Sequence, residues 1–118
     1  DLRKRCNVRS EKVIGIGIGV PGPVEFDSGL LVAVGVNMAV PAHNCVLHAE
    51  AVALMMAGAR LHSHSLGVNG MPPHELVSSC EPCAMCLGAT LWSGVARLVT
   101  GATKADAECQ RPKSAPRP

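Results

Sequence analysis

Apolar and polar positions alternate along this chain in blocks that read strand, helix, strand, helix, strand. Val13 to Val20 interleaves apolar residues with Gly15, Gly17 and Gly19, a period of two that predicts a strand weakened by side-chain-free positions. Pro21 to Gly29 reads as a loop closing on the turn Asp27-Ser28-Gly29. Leu30 to Val36 is an unbroken apolar run with β-branched members, the pattern of a buried strand. After the loop Asn37 to Cys45, a helix is expected from His48-Ala49-Glu50 to about Leu61, with Val52, Met55, Met56 and Ala59 on one face as its core contacts. A polar loop follows from His62 to His74, then a short strand from Glu75 to Ser79. Pro82 suits a first helical turn, so Cys83 to about Ser93 is the second helix, with Trp92 expected between helix and sheet. Val95 to Thr100 closes the series as a strand. This order implies crossover connections, a sheet with a parallel portion and a layered α/β domain. Both helices begin at a strand or loop end, so their N-termini are expected to converge at the carboxyl edge of the sheet, where α/β domains bind ligands.

Composition narrows the class. The 118 residues suffice for one small domain, and 47% hydrophobic against 17% charged is a globular balance. Residues 27–108 are expected to form the folded core, with an arm at 1–26 and a disordered, Pro-rich and basic tail at 109–118. No apolar stretch approaches a membrane span or a secretory leader. Six cysteines in a chain this rich in core residues argue against a disulfide scaffold and for a reducing cytoplasm. The net charge of +2 sits at the ends: residues 1–12 and 111–118 each carry +3, leaving −4 between them. An acidic body with one Trp, one Phe and no Tyr lacks the basic stripe and stacking faces of a protein for long nucleic acids.

The chemistry concentrates in two short motifs. Cys83 and Cys86 stand three apart at a helix start, so both sulfurs share a face near free N–H groups that favour thiolates. His48 opens the other helix and supplies a nitrogen. Three protein ligands leave a fourth tetrahedral position for water, the mark of a catalytic zinc. Glu50, two residues beyond His48, can take a proton from that water without being a ligand. H-x-E followed by P-C-x-x-C is the signature of zinc deaminases. Reading Cys80, Cys83 and Cys86 as an iron–sulfur motif would call for a fourth cysteine where Thr90 stands. Gly17, Gly19 and Gly22 match a dinucleotide-binding pattern, but Pro21 and Pro23 bracket the point where its helix would open. His43, His62, His64 and His74 read as solvated loop residues. Cys45 and Cys80 read as small buried hydrophobes near the site, and Cys6 and Cys109 as exposed thiols on the arms.

The segments His48-Ala49-Glu50-Ala51-Val52-Ala53-Leu54 and Ser78-Ser79-Cys80-Glu81-Pro82-Cys83-Ala84-Met85-Cys86-Leu87-Gly88-Ala89, with Trp92-Ser93-Gly94-Val95, resemble the cytidine deaminase-like superfamily, nearest its bacterial guanine deaminase branch. The resemblance spans about Asp27 to Glu108. It implies a three-layer α/β fold with a mixed sheet, of which this chain holds the core. It also implies Zn2+ bound by His48, Cys83 and Cys86, Glu50 as proton shuttle, and Asn37 and Ala49 at the substrate. Asn37 stands eleven residues before His48, where that branch places a purine-binding asparagine. The implied reaction is hydrolytic deamination of a purine base, guanine to xanthine and ammonia, by a cytoplasmic homodimer acting on a small nucleobase. Cytosine and tRNA adenosine are the other substrates within the superfamily, and a non-catalytic zinc-stabilised module is the alternative outside it. The family's first helix, and its later second acidic residue and exchanged C-terminal segment, have no match here.

Overall fold

The computed structural model describes residues 22–106. The Val13 to Val20 alternation, most of the glycine motif, Cys6, Cys109 and both charged ends lie outside them. Strands β1 (Gly22–Glu25), β2 (His74–Ser78) and β3 (Arg97–Thr100) form one sheet in that spatial order. Strand β2 is antiparallel to β1, pairing Gly22 with Val77 and Glu25 with His74, and parallel to β3, pairing Glu75 with Arg97 and Ser78 with Thr100. Helix α1 (Ala49–Leu61) packs on β1, and α2 (Ala84–Trp92) makes the crossover between β2 and β3 while packing on α1. The mixed α/β sheet is as expected.

The central strand follows a period of two: His74, Leu76 and Ser78 are buried while Glu75 and Val77 are partly covered. Leu76 is fully buried. Val32, Ala57 and Leu66 form a buried cluster, with Leu54, Leu61 and Val95 packed around it. Arg60 Nη1 donates to the Val32 carbonyl (2.9 Å), tying α1 to the segment after β1. At the exposed edge, Arg97 donates to Glu75 through Nε (2.8 Å) and lies 4.3 Å above the Phe26 ring centre.

Several expectations are corrected. The supposed loop Pro21 to Gly29 contains β1, and its turn covers Phe26–Ser28. Proline is tolerated there because the side towards which its missing N–H would point carries, among the described residues, one isolated bridge, Val24 to Leu31; the Pro23 carbonyl on that side accepts from Val32 N–H (2.9 Å). Leu30 to Val36 is not a buried strand: only Val32 and Gly35 are buried, while Leu30, Leu31, Val34 and Val36 are exposed. The chain leaves the ladder after Val32 because Gly35 presses against the start of α1. A β-carbon at Gly35 would overlap the Ala49 carbonyl oxygen and lie 2.5 Å from the Ala53 nitrogen. Gly35→Ala is therefore expected to cost about 1–3 kcal/mol of stability through overpacking. Urea unfolding reads this directly, and an unchanged midpoint would contradict the contact.

The buried stripe of α1 is Ala53 and Ala57, not the methionines: Met55 is 62% and Met56 56% exposed. Val52 is half-buried and Ala59 exposed. Small side chains let the helix sit close to the Gly35 segment, and that closeness turns the larger ones outward. Trp92 is 89% exposed rather than packed on the sheet. His74 is a core residue on β2, its ring Nδ1–H donating to the Leu66 carbonyl (3.2 Å). Cys45 is exposed and Cys80 only partly covered. Pro82 precedes the N-cap Cys83 instead of occupying the first turn.

Candidate metal centre

Each helix opens on a residue that rarely caps one. His48 precedes α1 and Cys83 precedes α2, both with extended backbone, and neither side chain bonds its own helix. Serine, threonine, asparagine or aspartate at those positions would stabilise each helix by about 1 kcal/mol. Instead the two side chains meet, His48 Nδ1 lying 3.5 Å from Cys83 Sγ. Cys86, in the first turn of α2 and fully buried, completes a group whose donor atoms all lie within 4.8 Å of one another. A tetrahedral zinc with bonds of about 2.0–2.3 Å has ligand separations of about 3.3–3.8 Å. One nitrogen and two sulfurs at this spacing fit zinc, with a small inward adjustment of the longer edges.

Without a cation the surroundings of Cys86 oppose the thiolate that a helix start by itself favours. Burial pushes the Cys86 thiol from 9.0 up to about 12, helped by the nearby Glu50 charge and by Cys83. A thiol this reluctant to ionise beside a carboxylate becomes a ligand when a divalent cation replaces its proton. The positive ends of both helices face the same place.

Glu50 is half-buried in the first turn of α1. Its Oε1 accepts a hydrogen bond from the Ser78 hydroxyl (3.1 Å), which also reaches the Cys80 carbonyl (2.8 Å). Ser78 was not singled out by its sequence motif. Its signal was a polar residue on the buried phase of β2, directly before the cysteine loop. Ala49 is the first helical residue of α1, where backbone N–H groups have no partner within the helix. Asn37 is exposed, and its Oδ1 accepts from the Ala39 N–H (2.9 Å), closing its own turn and leaving the amide NH2 to offer a ligand. Its neighbour Met38 donates to the Leu47 carbonyl (2.9 Å), which ties this turn to the residue before His48. The structure thus brings His48, Cys83, Cys86 and Glu50 together and keeps Asn37 on the connected loop. Of the histidines read as solvated, His43, His62 and His64 are exposed.

The family model for the cytidine and deoxycytidylate deaminase zinc-binding region matches residues 22–102. A guanine deaminase of Bacillus subtilis is 34% identical over 91 residues, covering 76% of this chain and 55% of its own. A solved structure of guanine deaminase from Nitrosomonas europaea superposes with a TM-score of 0.75 at 45% identity, over 84% of this chain and 54% of that one. A second structure, a crystal structure of a protein in complex with 8-azaguanine, gives the same TM-score of 0.75 at 45% identity, over 84% and 54%. The chain therefore spans about half the length of these relatives.

Proposed function

This chain belongs to the cytidine and deoxycytidylate deaminase zinc-binding family, and on that premise we propose that it is the core of a zinc-dependent aminohydrolase converting guanine to xanthine and ammonia. The observation that carries the reading is the placement of two helix-capping ligands, His48 and Cys83, against buried Cys86 with Glu50 beside them. The ligands of the similar solved structures supply the substrate class: 8-azaguanine is an analogue of a purine base and 2,6-diaminopurine is a purine base.

His48, Cys83 and Cys86 hold the metal. Zinc, when bound, supplies Lewis acidity that makes water nucleophilic near neutral pH. A carboxylate oxygen of Glu50 takes a proton from the attacking water. It delivers that proton to the ring nitrogen beside the amino-bearing carbon, and a second one to the departing amino group, so that ammonia leaves and the ring keeps the oxygen. Asn37 and the Ala49 N–H orient the base, whose unmet hydrogen bonds would disfavour other bases. The test is ammonia release from guanine, adenine, cytosine and their nucleosides, with zinc measured in the same sample. Guanine with xanthine as product is expected. Release only from cytosine or adenosine would move the chain to another branch of the family, and no release from any base would overturn the enzymatic reading.

We further infer a cytoplasmic homodimer. No helix among the described residues is long and apolar enough to cross a membrane. Leu30, Leu31, Val34 and Val36 are exposed along the segment that follows β1, an apolar surface suited to association. Light scattering at micromolar concentration should give twice the chain mass, and a monomer would refute the dimer.

A further inference from the structure

Glu50 must present one oxygen to a moving proton, yet it sits on a long side chain with three rotatable bonds. What restrains it comes from the sheet. Ser78, the last residue of β2, is 2% exposed and its hydroxyl faces two acceptors, Glu50 Oε1 at 3.1 Å and the Cys80 carbonyl at 2.8 Å. Its own backbone is held from β3, since Gly101 N–H donates to the Ser78 carbonyl (2.9 Å) and Ser78 is paired with Thr100. The hydroxyl is therefore anchored in the sheet, its single proton shared between the Cys80 carbonyl and Glu50 Oε1, the latter on a helix 28 residues away in sequence. With Oε1 held, the direction of the second oxygen follows.

We propose that Ser78 is the positioning residue for Glu50, fixing its carboxylate by a sheet-anchored hydrogen bond so that the proton-carrying oxygen faces the His48, Cys83 and Cys86 cluster. This rests on the deaminase reading above. The Ser78 hydroxyl bonds Glu50 and the Cys80 carbonyl rather than His48, Cys83 or Cys86, so its loss should slow turnover without weakening substrate or metal binding.

The experiment compares the zinc-loaded full chain with Ser78→Ala, the near-isosteric Ser78→Cys and the hydroxyl-retaining Ser78→Thr. Ser78→Ala and Ser78→Cys are expected to lower kcat for guanine about 10- to 30-fold, the size of one hydrogen bond to a charged group. KM should stay within about twofold and zinc near one per chain, while Ser78→Thr restores most of the rate. Crystal structures should show the Glu50 carboxylate displaced in Ser78→Ala and in place in Ser78→Thr. An unchanged kcat, a loss confined to KM, or loss of zinc overturns the positioning role. If the parent chain deaminates nothing, the activity reading falls, and the Glu50 position in Ser78→Ala decides by itself whether Ser78 holds it.

Discussion

Glu50→Gln is expected to abolish turnover almost entirely, by a factor of about 10² to 10⁴, while one zinc per chain is retained. Glutamine keeps the shape of the side chain and an oxygen that can accept the Ser78 hydrogen bond, so the local geometry around α1 survives. What disappears is the capacity to take up and release a proton. Metal binding should not weaken, because the Glu50 charge is one of the influences that hold the Cys86 thiol protonated. Steady-state ammonia release and elemental analysis on the same preparation check both halves. Loss of zinc together with activity would make Glu50 a ligand or a structural residue. Full activity without the carboxylate would remove the proton shuttle from the mechanism.

Cys86→Ala is expected to remove zinc and activity together. Cys86 is the fully buried member of the cluster, and a site of three protein donors reduced to two gives up most of its affinity. A metal that binds the folded chain and not the unfolded one adds its binding free energy to folding, so the lost affinity shows as folding stability as well as occupancy. Zinc content after dialysis should fall below about a tenth of an ion per chain, and the unfolding midpoint should no longer rise on adding zinc. The lost sulfur alone would cost far less, since cysteine to alanine removes only a small apolar group from the interior. A protein that keeps its zinc after this change would exclude Cys86 from the cluster. A parent protein whose stability ignores zinc would do the same for the whole site.

The two motifs were legible because their geometry is local. Three residues between the cysteines at the start of α2 place both sulfurs on one face whatever the rest of the chain does, and a carboxylate two residues past the cap position of α1 falls in that helix's first turn. The helix α1 and the strands β2 and β3 were legible for a similar reason, each a periodic run with breakers nearby. Misreadings fell where one surface had to be chosen over another. Met55 and Met56 share a face that periodicity alone marks as a core, but Ala53 and Ala57 form an equally regular stripe about a third of a turn away. The close approach of Gly35 to α1 selects the smaller stripe. His74 looked like the end of a polar loop, and only pairing with Glu25 on one side of β2 makes it a core residue.

The sequence by itself determined which atoms can bind a metal and on which ends of which helices they sit, because capping positions and first turns are set within a few residues. It also determined the α/β order of elements, through the spacing of apolar runs. The tertiary structure alone decided that the starts of α1 and α2 lie side by side, so that His48 Nδ1 and Cys83 Sγ are 3.5 Å apart although 35 residues separate them. It alone decided that the hydroxyl of Ser78 reaches Glu50, and that Met55, Met56 and Trp92 face outward. The reason is that such distances depend on which small side chains let helix and sheet approach. That is a property of pairs of segments far apart in the chain, and no single stretch of residues encodes it.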